Sequence, residues 1–142
     1  MNNRKVYISG DIVPEVDAKI SIFDSAVLLG DTVTESTRTF NFKPFKLDEH
    51  LERLYKSFKL TRIDPQMTIE EMKKVSLELL EINKDNYKAN EDCWLVHNIS
   101  RGHSITGGNP ALQVSKPTVM IYTQPMNLVS WAPFYSKGCH AV

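Results

Sequence analysis

The sequence predicts an α+β fold, a largely antiparallel sheet with two main helices. Three observations carry this. Short alternating apolar stretches broken by turn residues open the chain, two segments with helical spacing stand in its middle, and two further β-branched stretches follow them. The resulting order, three or four strands, two helices and two strands, belongs to the α+β class.

The elements follow in order. Val6 and Ile8 alternate with polar residues before Gly10-Asp11, and Ile12 and Val13 precede Pro14, which predicts a strand, a tight turn and a short return strand. Ile20, Ile22 and Phe23 lead to Ala26-Val27-Leu28-Leu29-Gly30-Asp31, expected to be a buried segment with a sharp turn. Thr32 to Phe40 has the β-branched density of a strand, Asn41-Phe42-Lys43-Pro44 reads as a turn, and Phe45 to Leu47 as a short return. Leu47, Leu51, Leu54 and Phe58 recur on one face of a helix expected to be capped by Asp48 and to end near Asp64-Pro65. Thr68-x-x-Glu71 reads as a capping box opening a second helix, with Ile69, Met72, Val75, Leu79 and Ile82 as its buried face. Trp94 to Ile99 and Thr118 to Tyr122 read as strands. Between them Arg101 to Lys116, with three glycines, is a loop long enough to be functional. Residues 1–124 are expected to form one α+β domain. Residues 125–142, with Pro125, Pro133 and little periodicity, are expected to be an interdomain linker and the start of a second domain.

Composition narrows the function. The 142 residues carry 17 Lys plus Arg and 17 Asp plus Glu, so no charge excess points to nucleic acid or to anionic lipid. No apolar run approaches the roughly 20 residues that span a bilayer. The opening Met-Asn-Asn-Arg-Lys-Val-Tyr has no apolar stretch behind it, so no signal peptide is expected. Cys93 and Cys139 stand far apart without a Cys-x-x-Cys, and a reducing, cytoplasmic setting is the simplest reading. His50, His97, His103 and His140 have no metal-ligand spacing, so no metal site is expected.

Several residues stand out individually. Arg53 lies off the Leu51/Leu54/Phe58 stripe, and is either a solvated surface residue or a phosphate clamp with its planar fork of donors. Glu35 and Arg38 lie three apart in a mostly uncharged strand. They face opposite ways, so whichever enters the core needs a partner. His50, three residues before Arg53, can share its helix face. The run Arg101-Gly102-His103-Ser104-Ile105-Thr106-Gly107-Gly108 could present amides and hydroxyls to an anion, or be an ordinary flexible loop.

Three stretches together resemble the amino-terminal half of the fold-type IV pyridoxal-phosphate enzymes, the class IV aminotransferases. They are Val27-Leu28-Leu29-Gly30-Asp31-Thr32-Val33-Thr34-Glu35-Ser36-Thr37-Arg38, then Pro44-Phe45-Lys46-Leu47-Asp48-Glu49-His50-Leu51-Glu52-Arg53-Leu54-Tyr55-Lys56-Ser57, then Ile99-Ser100-Arg101-Gly102. The second stretch is the most specific. The resemblance implies that Arg53 binds the phosphate of pyridoxal 5'-phosphate. It implies that Thr34, where the family usually has an aromatic, Arg38, Arg101, Gly107 and Gly108 shape the substrate side. It further implies a homodimer that moves an amino group from an amino acid or amine to a 2-oxo acid. The family's Schiff-base lysine is expected in a second domain beyond Val142, so this segment alone is expected to be inactive. Two alternatives stay open: an aminodeoxychorismate lyase-like reaction, and a non-catalytic stand-alone module.

Overall fold

The computed structural model describes residues 3–88, 91–103, 116–126 and 128–140. Strands β1 (Lys5–Ile8) and β2 (Asp11–Pro14) form a hairpin, followed by a short helix α1 (Ser25–Leu29), β3 (Thr32–Phe40) and a two-residue β4 (Lys43–Pro44). Helices α2 (Leu47–Thr61) and α3 (Ile69–Asn83) come next, then β5 (Cys93–Ser100), β6 (Thr118–Pro125) and α4 (Leu128–Lys137). The six strands form one sheet in the order β2-β1-β6-β5-β3-β4, with every pairing antiparallel. The architecture is the expected α+β class. The hairpin closes on Ser9 and Gly10, both with positive φ, the twist that suits a two-residue connection.

Period-two alternation gives the sheet two unlike faces. Glu35, Thr37 and Thr39 of β3, Leu95, His97 and Ile99 of β5, and Ile121 and Thr123 of β6 are buried under α2 and α3. The α2 stripe Leu47, Leu51, Leu54 and Phe58 is buried as its spacing predicts, against Met72, Leu79 and Leu80 of α3. The capping box of α3 is formed: Glu71 N donates to Thr68 Oγ1 and Thr68 N donates to Glu71 Oε2. At its other end the buried Asn83 amide accepts from Lys5 N and donates to Lys5 O, both at 2.8 Å, and so pairs with β1 as a neighbouring strand would.

Three local expectations are corrected. Ala26 to Leu29 is not a buried segment but part of α1, started by the Asp24 carboxylate accepting from Ala26 N and ended by Gly30 in the left-handed region; Val27, Leu28 and Leu29 are exposed. Short-range capping sets this conformation, not burial of the apolar run. The N-cap of α2 is Lys46, at φ 54°, and not Asp48, which instead meets Lys73 Nζ of α3 at 2.6 Å. On α3, Ile82 is exposed, while Ser76, Leu80 and Asn83 join the buried face. Helix α4, ten residues long and containing Pro133, has no buried residue.

Asn83→Ala is expected to destabilise the protein by about 2–3 kcal/mol, since two hydrogen bonds are lost and part-buried groups of Lys5 are stranded. Denaturant unfolding at neutral pH measures this.

Candidate functional site

The centre of the candidate site is a carboxylate on an open strand edge. Among the described residues, beyond Thr39 and Phe40, which pair with β4, strand β3 is hydrogen-bonded to a neighbour on one side only, that of β5. Glu35 is turned to the helix side and buried, and it draws four donors. Arg53 Nε reaches Oε2 at 2.6 Å, while Arg53 Nη2 at 2.6 Å, His50 Nδ1 at 2.9 Å and Ser36 N at 3.0 Å reach Oε1. Burial alone would raise the Glu35 pKa. The hydrogen bonds from Arg53, then His50 and Ser36 N–H, outweigh it and hold the group at about 2. This is the partner that the Glu35/Arg38 spacing demanded, and it comes from α2, not from within the strand. His50 and Arg53 share a helix face as expected.

Arg53 is held at one edge and open at the other. Its Nη1 has no partner among the described residues, and its side chain is 65% exposed. It borders a cleft of about 170 Å³ lined by Lys46, Glu49, His50 and Arg53. A guanidinium tethered through Nε and Nη2 still offers a planar pair of N–H groups, the geometry that suits a phosphate.

Behind Glu35 stands His97, its register partner on β5, fully buried. His97 Nε2 lies 2.7 Å from Ser76 Oγ, which itself donates to Met72 O, so the ring is the donor. That leaves Nδ1 as a buried acceptor with no partner among the described residues. Burial pushes the His97 pKa down to about 4, with the neighbouring Glu35 opposing. Reading the histidines for metal spacing misses this residue. The signal was its place in register with Leu95 and Ile99, which puts an imidazole in the core.

The opposite face of the sheet carries Thr34, exposed, and Arg38, half-buried, whose guanidinium carbon sits 3.9 Å from the centre of the Phe40 ring. Trp94, the register partner of Arg38, meets Trp131 of α4 with ring centres 6.4 Å apart. Arg53 and Thr34 thus flank the free edge of β3 from its two faces. Arg101 is engaged elsewhere. Its Nε donates to Asp31 Oδ2 at 2.8 Å, its Nη1 to Arg62 O at 2.7 Å and its Nη2 to Thr61 O at 2.9 Å, tying the end of β5 to the last carbonyls of α2. The next residue must be glycine. Gly102 has φ 92°, and a Cβ there would lie 1.8 Å from Lys116 O. Gly107 and Gly108 lie outside the described residues.

An antiparallel sheet with helices on one face and an oriented arginine beside the edge of β3 defines an α+β fold. The amino-transferase class IV family model matches residues 32–137, and the chain belongs to that family. It is 39% identical over 122 residues to a Methanocaldococcus jannaschii protein assigned as a branched-chain-amino-acid aminotransferase, covering 86% of this chain and 40% of that one. It is 32% identical over 120 residues to the D-alanine aminotransferase of Staphylococcus epidermidis, covering 84% of this chain and 41% of that one. Among solved structures, the branched-chain aminotransferase of Thermoproteus uzoniensis with norvaline superposes with a TM-score of 0.71 at 26% identity, over 87% of this chain and 41% of that one. The chain therefore spans about 40% of the length of the curated relatives it matches.

The site fixes a pH dependence. A histidine whose pKa falls from 6.5 to about 4 on folding is neutral in the native state, so stability is full above pH 6.5 and is lost as the pH falls through that window. The His97 share amounts to about 3 kcal/mol at ~1.4 kcal/mol per unit. Glu35, displaced from 4.5 to about 2, adds a second loss between those values. Thermal unfolding from pH 8 to 3 is expected to show both steps. His97→Phe should remove the upper one and leave the lower.

Proposed function

We propose that this chain supplies the phosphate-gripping helix and one substrate wall of a pyridoxal-phosphate-dependent aminotransferase. Such an enzyme moves an amino group from an amino acid or amine to a 2-oxo acid. When bound, the cofactor supplies a carbonyl that takes up the amino group and a conjugated ring that stabilises charge at the donor's α-carbon. The observation that carries the reading is the state of Arg53, tethered to Glu35 along one edge and offering Nη1 beside a cleft. Arg53 is the residue we assign to the cofactor phosphate, and Glu35 and His50 are its positioning residues.

On the other face Thr34 and Arg38 line the substrate side. Arg101 also has a bracing part in this reading, supported by its hydrogen bonds to Asp31 and to the end of α2. Residues 1–124 form the small domain in this reading, and 125–142 lead towards the part of the enzyme that carries the cofactor lysine. The 40% span of the matched relatives supports that division. A homodimer is part of this reading, and the exposed apolar side chains Ile22, Phe23, Val27, Leu28 and Leu29 are surface that association could cover. No helix among the described residues is long and apolar enough to cross a membrane. The cytoplasmic setting is supported by two free cysteines, Cys93 buried and Cys139 exposed.

In the full-length protein, Arg53→Ala is expected to weaken pyridoxal-phosphate binding by about ten- to a hundredfold, the scale of a lost charged hydrogen-bond pair. Spectroscopic titration with the cofactor measures it, and unchanged affinity would return Arg53 to the solvated surface.

A further inference from the structure

Antiparallel register sets side chains of the open face in rows across the sheet. One row runs Thr34, Asn98, Met120, Ile8 through β3, β5, β6 and β1, and the next runs Ser36, Val96, Tyr122. The rows change character halfway. Over β6 and β1 the face is apolar, with a slot of about 240 Å³ lined by Val6, Ile8, Ile20, Met120 and Tyr122 among others. Over β3 and β5 it carries Thr34, Ser36 and Asn98.

Asn98 is out of place on propensity. Asparagine is depleted in strands, and β5 is an interior strand with neighbours on both sides. Its amide is held rather than loose, because the Thr32 hydroxyl, whose single proton is shared between Asn98 Oδ1 and the Ile99 carbonyl, lies against that oxygen. Holding that oxygen leaves the Nδ2 donors with no partner among the described residues. The hydroxyls of Thr34 and Ser36 are likewise without partners there, and Asn98 and Ser36 are half-buried. Three hydrogen-bonding groups therefore converge on one patch of the proposed substrate wall, one of them anchored from behind. Among the described residues of β3 the nearest cation is Arg38, two residues from Ser36 and four from Thr34, and its guanidinium is stacked on Phe40.

Resting on the aminotransferase reading, we infer that Asn98, with Thr34 and Ser36, selects an amino acid whose side chain carries an uncharged hydrogen-bonding group, a hydroxyl or an amide, over the aliphatic isostere. Asn98 Nδ2 donates to that group's oxygen, and the Thr34 and Ser36 hydroxyls accept or donate beside it. A half-buried patch of this kind discriminates because an aliphatic side chain would displace water from its polar groups without replacing the hydrogen bonds.

The test is a donor series on the full-length holoenzyme, with kcat/KM for threonine against valine and for homoserine against norvaline. The oxygen-bearing member of each pair is expected to lead by about tenfold or more. Asn98→Leu should lower that ratio at least fivefold, with cofactor absorbance and melting temperature retained. Thr34→Val, at an exposed position, carries the same test if Asn98→Leu fails to fold. Preference for the aliphatic member in the wild type, or an unchanged ratio in the variants, overturns the inference while amino transfer itself persists. No transfer with any donor overturns the aminotransferase reading, and this inference with it.

Discussion

The arrangement depends on one buried carboxylate. Glu35 sits on the helix side of a strand whose outer edge is mostly unpaired, where a charge without partners would cost several kcal/mol. Four donors solve this at once. Ser36 N–H closes part of the open edge, His50 and Arg53 bring in α2, and the carboxylate stays ionised well below neutral pH. The same contacts that satisfy Glu35 set the rotation of α2 against β3 and hold the guanidinium in one plane. Stability and the orientation of the guanidinium are therefore joined in a single cluster, and in the proposed function the exposed edge of Arg53 is oriented by a residue that need touch no ligand.

Other contacts of the fold help keep that edge in place. Arg101 fastens the end of β5 to the last turn of α2, and Gly102 lets the returning chain at Lys116 pass within a distance no side chain would tolerate. Asp24, buried, accepts from Ala26 N and, at 2.5 Å, from the Thr118 hydroxyl, so that α1 and the start of β6 are drawn to the same corner. One face of the sheet is given over to packing under α2 and α3, and the other is left to Thr34, Ser36, Arg38 and Asn98.

Much of this was legible in the sequence where periodicity and local chemistry agree. The Leu47/Leu51/Leu54/Phe58 stripe and the Thr68/Glu71 box depend on residues three or four apart, and both formed as read. The odd spacing of Glu35 and Arg38 showed that one charge must enter the core, though not which element would answer it. What was not legible depended on distant partners. Asn83 looks like a helix terminator until it is seen bridging β1, and Arg101 looks like a loop arginine until α2 ends beside it. Alternation with Leu95 and Ile99 places His97 in the core, but its partner Ser76 lies 21 residues away on another element and could not be read from the sequence. In α1, a run of apolar residues suggested burial, whereas Asp24 and Gly30 at its two ends decide the conformation and leave those residues exposed.

The most direct measurement of the central claim is the effect of Glu35→Gln on the affinity of the full-length protein for pyridoxal phosphate, alone and combined with Arg53→Ala. If Glu35 positions the guanidinium, Glu35→Gln weakens binding although it removes a negative charge next to a phosphate, and the double variant binds no more weakly than Arg53→Ala alone. If Glu35→Gln tightens binding or leaves it unchanged, the carboxylate is only a neighbouring charge and the account of an arginine oriented for phosphate fails.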